Sequence, residues 1–210
     1  KADMKELPYG DNFFDVIAYG IFVIRKRTTF IFWQEYKGKE MKNQIHRILL
    51  ISPPYSVLKG KVKISLPPLG LAYLAAVLEK EGYEIRIVDA AIEGFENEVK
   101  VNDNYIRYGL SFEQINEIIK EYSPQIVGVS CIFSSQYGNI KDICRVVKEA
   151  DKNIKVVLGG EHPAIFSNEC LKDENVDFIV IGEGEYTFRE LIQKLNSDLD
   201  LSTIEGLAYR

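Results

Sequence analysis

The 210-residue chain contains no apolar run of about 18 residues, the length at which a segment reads as a membrane-spanning helix. Its charged beginning does not resemble a secretory signal, so no membrane partner is expected. Histidine is nearly missing, with only His46 and His162. A Ser/His/Asp or Cys/His relay therefore cannot be assembled, the more so because His46 opens a strand. The three cysteines, Cys131, Cys144 and Cys170, are scattered, odd in number and show no C-x-x-C spacing. That excludes a disulfide framework or a metal cluster within the chain and suits a reducing cytoplasm. Positive charge is not in excess, since 26 Lys and Arg against 31 Asp and Glu leave a net charge of −5. Without a basic block, nucleic acid is not an expected partner.

What is present is ordinary for a globular protein: 46% hydrophobic and 27% charged residues, enough chain for one domain and an appendage. The appendage is residues 1–40. Within it, residues 3–22 resemble a fragment of a class I S-adenosylmethionine-dependent methyltransferase, in which an acidic Leu-Pro turn leads into a Phe-Asp-Val strand. The glycine-rich loop that such an enzyme needs does not precede it, and no activity is assigned to this segment. Met41 is a natural start for the domain proper.

From there strand and helix alternate. Ile45–Ser52 is the first strand, stopped by Pro53-Pro54, whose missing N–H groups cannot continue a ladder. Ser56–Ser65 reads as a loop. Pro67-Pro68 then opens the helix Leu69–Glu79, ended by Glu81-Gly82. Tyr83–Asp89 is the second strand, and Ala90–Leu110 a long connection of the kind that is often functional. Ser111 and Gln114 form a capping box for a helix over Phe112–Tyr122. Pro124–Cys131 is the third strand, Asn139–Ala150 a helix, Val156–Leu158 and Phe178–Ile181 the fourth and fifth strands, and Tyr186–Leu195 the last helix. The tail from Ile204 to Tyr209 resembles the start of another strand. Such a pattern predicts an α/β fold: a five-stranded parallel sheet in the flavodoxin-like (Rossmann-like) order 2-1-3-4-5, with helices on both faces.

In such a sheet, ligands bind at the carboxyl ends of the strands. The loop after strand one, Ser52-Pro53-Pro54-Tyr55, lacks the glycines of a dinucleotide site, and no P-loop is present. Ser52 and Ser130 stand where a phospho-acceptor receiver needs acidic residues. The edge offers small residues and hydroxyls instead. The candidates are Ser130 and Ile132 after strand three, Ser134 and Ser135 in the following loop, and Gly159, Gly160 and Glu161 after strand four. Gly182, Glu183, Gly184 and Glu185 follow strand five. Glycine there leaves room for a large ligand to touch backbone.

The order of Pro53-Pro54-Tyr55, Pro67-Pro68-Leu69-Gly70-Leu71-Ala72-Tyr73, Val127-Gly128-Val129-Ser130, Leu158-Gly159-Gly160-Glu161-His162-Pro163, Gly182-Glu183-Gly184-Glu185 and Gly206-Leu207-Ala208-Tyr209 resembles the cobalamin (B12)-binding N-terminal domain of class B radical S-adenosylmethionine proteins. The resemblance covers residues 45–210. It implies a binding domain over 41–200 and the start of a linker at 201–210. Ser130-Cys131-Ile132 and the Gly159-Gly160 pair match the turns that accommodate the cofactor's nucleotide tail. Gly160→Trp is expected to abolish retention and leave the fold intact. The Asp-x-His-x-x-Gly loop of cobalamin mutases is absent, so the resemblance implies a His-off corrinoid. A 4Fe-4S cluster and S-adenosylmethionine are expected only in a further radical S-adenosylmethionine domain in cis, because the C-x-x-x-C-x-x-C motif is not in this chain. The alternative is a cofactor-free Rossmann-like interaction or regulatory module.

Overall fold

The structure, a computed structural model, describes residues 44–64 and 66–210. The methyltransferase-like fragment expected at 3–22 lies outside them. The larger sheet has the strand order β3-β1-β6-β7-β8-β9. Its members are β1 (Arg47–Ser52), β3 (Glu84–Asp89), β6 (Ile126–Ser130), β7 (Lys155–Gly159), β8 (Phe178–Val180) and β9 (Leu207–Tyr209). The first five are mutually parallel.

The expected count of five strands is corrected to six. β9 runs antiparallel to β8, with Phe178 opposite Tyr209 and Val180 opposite Leu207. The strand start read in the tail from Ile204 to Tyr209 is this β9, and its three residues are too few to show from their pattern that it joins the sheet antiparallel.

Residues on alternate sides of β1 supply two separate cores. Ile48 and Leu50 face α1 (Leu69–Lys80) and α7 (Gly184–Ser197), where Leu71, Leu74, Leu78, Phe188, Leu191 and Ile192 are buried with them. Leu49 and Ile51 face the other way, into a cluster with Ile115 and Ile119 of α3 (Phe112–Tyr122) and Ile140, Ile143 and Val147 of α4 (Tyr137–Ala150). Burial on both faces is why these strands read as continuous apolar runs without polar alternation. The α3 helix starts as its residues dictate: Ser111 accepts from Gln114 N, and the Gln114 side chain accepts from Ser111 N at 2.9 Å.

A second correction concerns the two stretches read as loops. Tyr55–Leu58 (β2), Glu98–Lys100 (β4) and Tyr105–Tyr108 (β5) form a separate antiparallel sheet in the order β2-β5-β4. The short α2 (Ala90–Glu93) leads toward it. Asn102 makes the β4–β5 turn by accepting from the N–H groups of Asn104 and Tyr105, both at 2.9 Å. The small sheet is tied to the body by two buried amides at the start of α4, Gln136 just before the helix and Asn139 in its first turn. Gln136 accepts from Ser56 N (2.8 Å) and donates to Ser56 O (3.0 Å), completing one ladder rung with a side chain. Asn139 donates to Pro54 O at 3.0 Å.

Candidate functional site

A cavity of about 500 Å³ opens at the carboxyl end of the larger sheet and is walled on its other side by α1 and α7. Its inner wall is apolar, with Leu71 and Leu74 from α1, Val157 and Val180 from the sheet, and Phe188 from α7. Its mouth holds Ser130, Ile132 and Phe133 on one side and Gly182 to Glu185 on the other. No lysine, arginine or histidine lines it among the described residues. A flat, apolar, nucleotide-sized group suits such a slot better than a bare anion does, because the wall offers dispersion contacts and no countercharge.

Eight of the residues read from sequence come together here: Ser130, Ile132, Gly159, Gly160, Gly182, Glu183, Gly184 and Glu185. Ser134, Ser135 and Glu161 do not line the cavity. Ser134 Oγ lies 2.9 Å from His162 Nδ1, and Ser135 sits in the 3-10 turn Ser134–Gln136. Glu161 is exposed at the first position of the short α5 (Glu161–Ile165). Sequence reasoning missed Tyr55, Phe133 and the Leu66–Gly70 approach to α1. The Pro67-Pro68 helix start was the available signal, since proline marks where a helix begins and a helix that follows a strand of a parallel sheet begins near that sheet's carboxyl end.

The two glycines after β7 differ in kind. A Cβ built on Gly159 meets nothing within 4 Å and would point into open space at a cavity wall. Gly160 has φ +103°, and its Cβ would lie 2.7 Å from Cys131 O. Gly160 thus serves the backbone crossing between β6 and β7, and the expectation that Gly160→Trp spares the fold is corrected: any side chain there is strained.

Burial acts on one phenol and one thiol at the cavity. Burial raises the Tyr55 phenol, with Asp89 adding to the effect. The Cys131 thiol, fully buried behind the mouth, is pushed up to about 12 by burial and then by its neighbour Cys170. His162 packs between Tyr137 and Phe166, with ring centroids 4.4 and 5.0 Å away, and is directed to Ser134. His46 lies at the opposite end of the sheet, just before β1. Among the described residues no three acidic, histidine or cysteine side chains gather to hold a metal ion. No helix among them is long and apolar enough to cross a membrane.

The model of the B12 binding domain matches residues 55–192, from β2 to the middle of α7, so it takes in the cavity's lining apart from Ser52 and Pro53. This chain belongs to the B12-binding domain family. The domain is 36% identical over 175 residues to a cytidylyl-2-hydroxyethylphosphonate methyltransferase of Streptomyces wedmorensis, covering 82% of this chain and 33% of that protein. It is 30% identical over 170 residues to an anaerobic magnesium-protoporphyrin IX monomethyl ester cyclase of Synechocystis, covering 78% of this chain and 30% of that one. Among solved structures it shares its fold with the radical S-adenosylmethionine methyltransferase TsrM of Kitasatospora setae, solved with cobalamin and a [4Fe-4S] cluster bound. There the TM-score is 0.62 at 22% identity, over 79% of this chain and 29% of that chain. This B12-binding domain therefore spans about a third of the length of the curated relatives it matches.

Proposed function

We propose that this chain is the corrinoid-binding module of a cobalamin-dependent radical S-adenosylmethionine enzyme, of the methyltransferase or cyclase kind, whose catalysis resides in a further domain of the same polypeptide. The observation that carries this reading is the cavity: in a B12-binding chain, an apolar slot opens at a glycine- and serine-edged mouth on the carboxyl end of the sheet. A cavity of about 500 Å³ would take the nucleotide tail and not the whole corrinoid. Gly159 would leave space for the tail, and Leu71, Leu74 and Phe188 would give its base an apolar wall. The Ser130 hydroxyl and the unpaired N–H groups of the first turn of α7 offer hydrogen bonds to its sugar and phosphate. Ser134, Ser135 and Glu161 are left out of this set. A bound corrinoid supplies a cobalt centre able to carry an alkyl group, and this domain's work is to bind it, orient it and keep water from its tail.

The same reading has the cofactor bound His-off, supported by His46 lying at the far end of the sheet and by His162 being packed between Tyr137 and Phe166 and held to Ser134. It assigns 41–200 to the binding domain and has the connection onward start within 201–210, the stretch that also closes the sheet with β9, with the 4Fe-4S cluster and S-adenosylmethionine belonging to the further domain. Three buried free thiols fit a reducing cytoplasm. Gel filtration of the purified chain after mixing with hydroxocobalamin tests it. A coloured one-to-one complex is expected, with a visible spectrum that His162→Ala leaves unchanged. Colourless protein overturns the reading, and a spectrum altered by His162→Ala overturns its His-off part.

A further inference from the structure

The segment that joins β2 to α1 is built inside out. Val62, Ile64 and Leu66 are 79%, 62% and 72% exposed, while the Lys63 side chain between them is only 17% exposed. Surface segments ordinarily turn the charge outward and the apolar residues in. Here the inversion is fixed by specific contacts. Lys63 Nζ donates to Phe95 O at 2.6 Å, pairs with Glu98 at 3.2 Å and lies 4.5 Å from the Phe95 ring centroid. The buried Tyr108 hydroxyl donates to Ile64 O (2.5 Å) and accepts from Ile64 N (3.1 Å). The small sheet thus grips the polar side of the strap and holds its apolar side out. Leu69, also exposed, continues the row onto α1.

Exposed apolar residues scattered singly need no explanation, but a row held outward by buried cation and hydroxyl contacts does. Val62 and Ile64 do not line the cavity, so a ligand seated there leaves them uncovered. Leu66 and Leu69 do line it, so whatever covers the row also borders the cofactor's mouth.

We infer that the row Val62, Ile64, Leu66 and Leu69 is an interface for the catalytic domain of the same polypeptide, which rests on it through an uncharged apolar surface. This builds on the function proposed above. The match to relatives of which the chain spans only about a third supplies the occupant: most of such a polypeptide lies outside this domain and must meet it near the cofactor.

Cysteine labelling, read position by position by peptide mass spectrometry so that cysteines of the further domain do not count, tests this directly, because Cys131, Cys144 and Cys170 are all buried. Val62→Cys and Ile64→Cys are compared in this chain and in the complete polypeptide that its reading frame encodes. Lys152→Cys, in the exposed turn before β7, serves as the control. Both strap positions should label rapidly in this chain and about tenfold slower in the complete polypeptide, the effect of a covered state favoured by about 1.4 kcal/mol. The control should label alike in both. Equal strap rates, or a reading frame that stops at Arg210, overturn the inference. So does slow labelling in this chain alone, whether relieved by dilution, as with a second copy, or produced by added hydroxocobalamin. Retention of hydroxocobalamin is scored in parallel. Colour with equal strap rates overturns the interface and leaves the proposed function standing; a protected strap on colourless protein does the reverse.

Discussion

At the scale of single residues, two adjacent glycines that look interchangeable in the sequence make opposite predictions. Gly159→Trp places an indole in the open space at the cavity wall, where no atom of the protein stands within 4 Å of the first carbon. The protein should fold with an unchanged melting temperature and lose hydroxocobalamin on gel filtration. Gly160→Ala, far smaller, should lower the melting temperature, because a positive φ and a backbone oxygen at 2.7 Å both oppose its methyl group. The strain alone costs about 1 kcal/mol or more. If both variants lose the cofactor at full stability, the backbone role of Gly160 is wrong. The pairing of glycines was legible in the sequence; which of them has open space beside it was not, because it depends on where the chain after β6 passes.

Cys131 makes a prediction in pH. Its thiol is raised from 9.0 to about 12, so folding favours the protonated form. Below 9.0 the folded and unfolded chains both keep the proton, and this stabilisation is present in full. As pH rises toward about 12 the unfolded chain loses its proton first, and stability falls. Melting temperatures measured across that interval should drop more steeply for the native chain than for Cys131→Ala. Equal slopes would show that the buried thiol is not what titrates.

At the scale of elements, legibility follows length and locality. The capping box at Ser111 and Gln114 is a four-residue signal, and the structure forms it as read. Ser111→Ala should therefore cost about 1 kcal/mol, a fall of about 2–4 °C in melting temperature by calorimetry. No change would mean that packing of Ile115 and Ile119 alone fixes where the helix begins. The small sheet was not legible for the converse reason. Its strands have only three or four residues, and β2 meets β5 through non-local pairs such as Val57 with Ile106, which no short window of sequence contains. The rung made by the Gln136 side chain on Ser56 cannot be seen in any local pattern either. Tyr55 escaped notice as a cavity residue along with its strand.

At the scale of the whole molecule, the cavity depends on the last strand as much as on the glycines at its mouth. β8 ends at Val180, and the turn that lines the mouth begins two residues later. That turn is held from behind: Ile181 N donates to Gly206 O at 2.7 Å, and Thr187 Oγ1 donates to Glu205 O at 3.0 Å. Ile204 is buried against the α1 and α7 layer, and the Arg210 guanidinium closes the far end on the carbonyls of Glu174 and Val176. Deleting residues 204–210 should remove a buried isoleucine and these bonds together, a loss of about 3–5 kcal/mol in stability against urea. The deletion should also weaken hydroxocobalamin retention more than Ser111→Ala does, even where both remain folded, because Gly182 to Glu185 lose their support whereas no residue of α3 lines the cavity. A deletion variant that binds the cofactor as tightly as the intact chain would show that α7 positions the turn unaided, and that β9 stabilises the sheet without shaping the site.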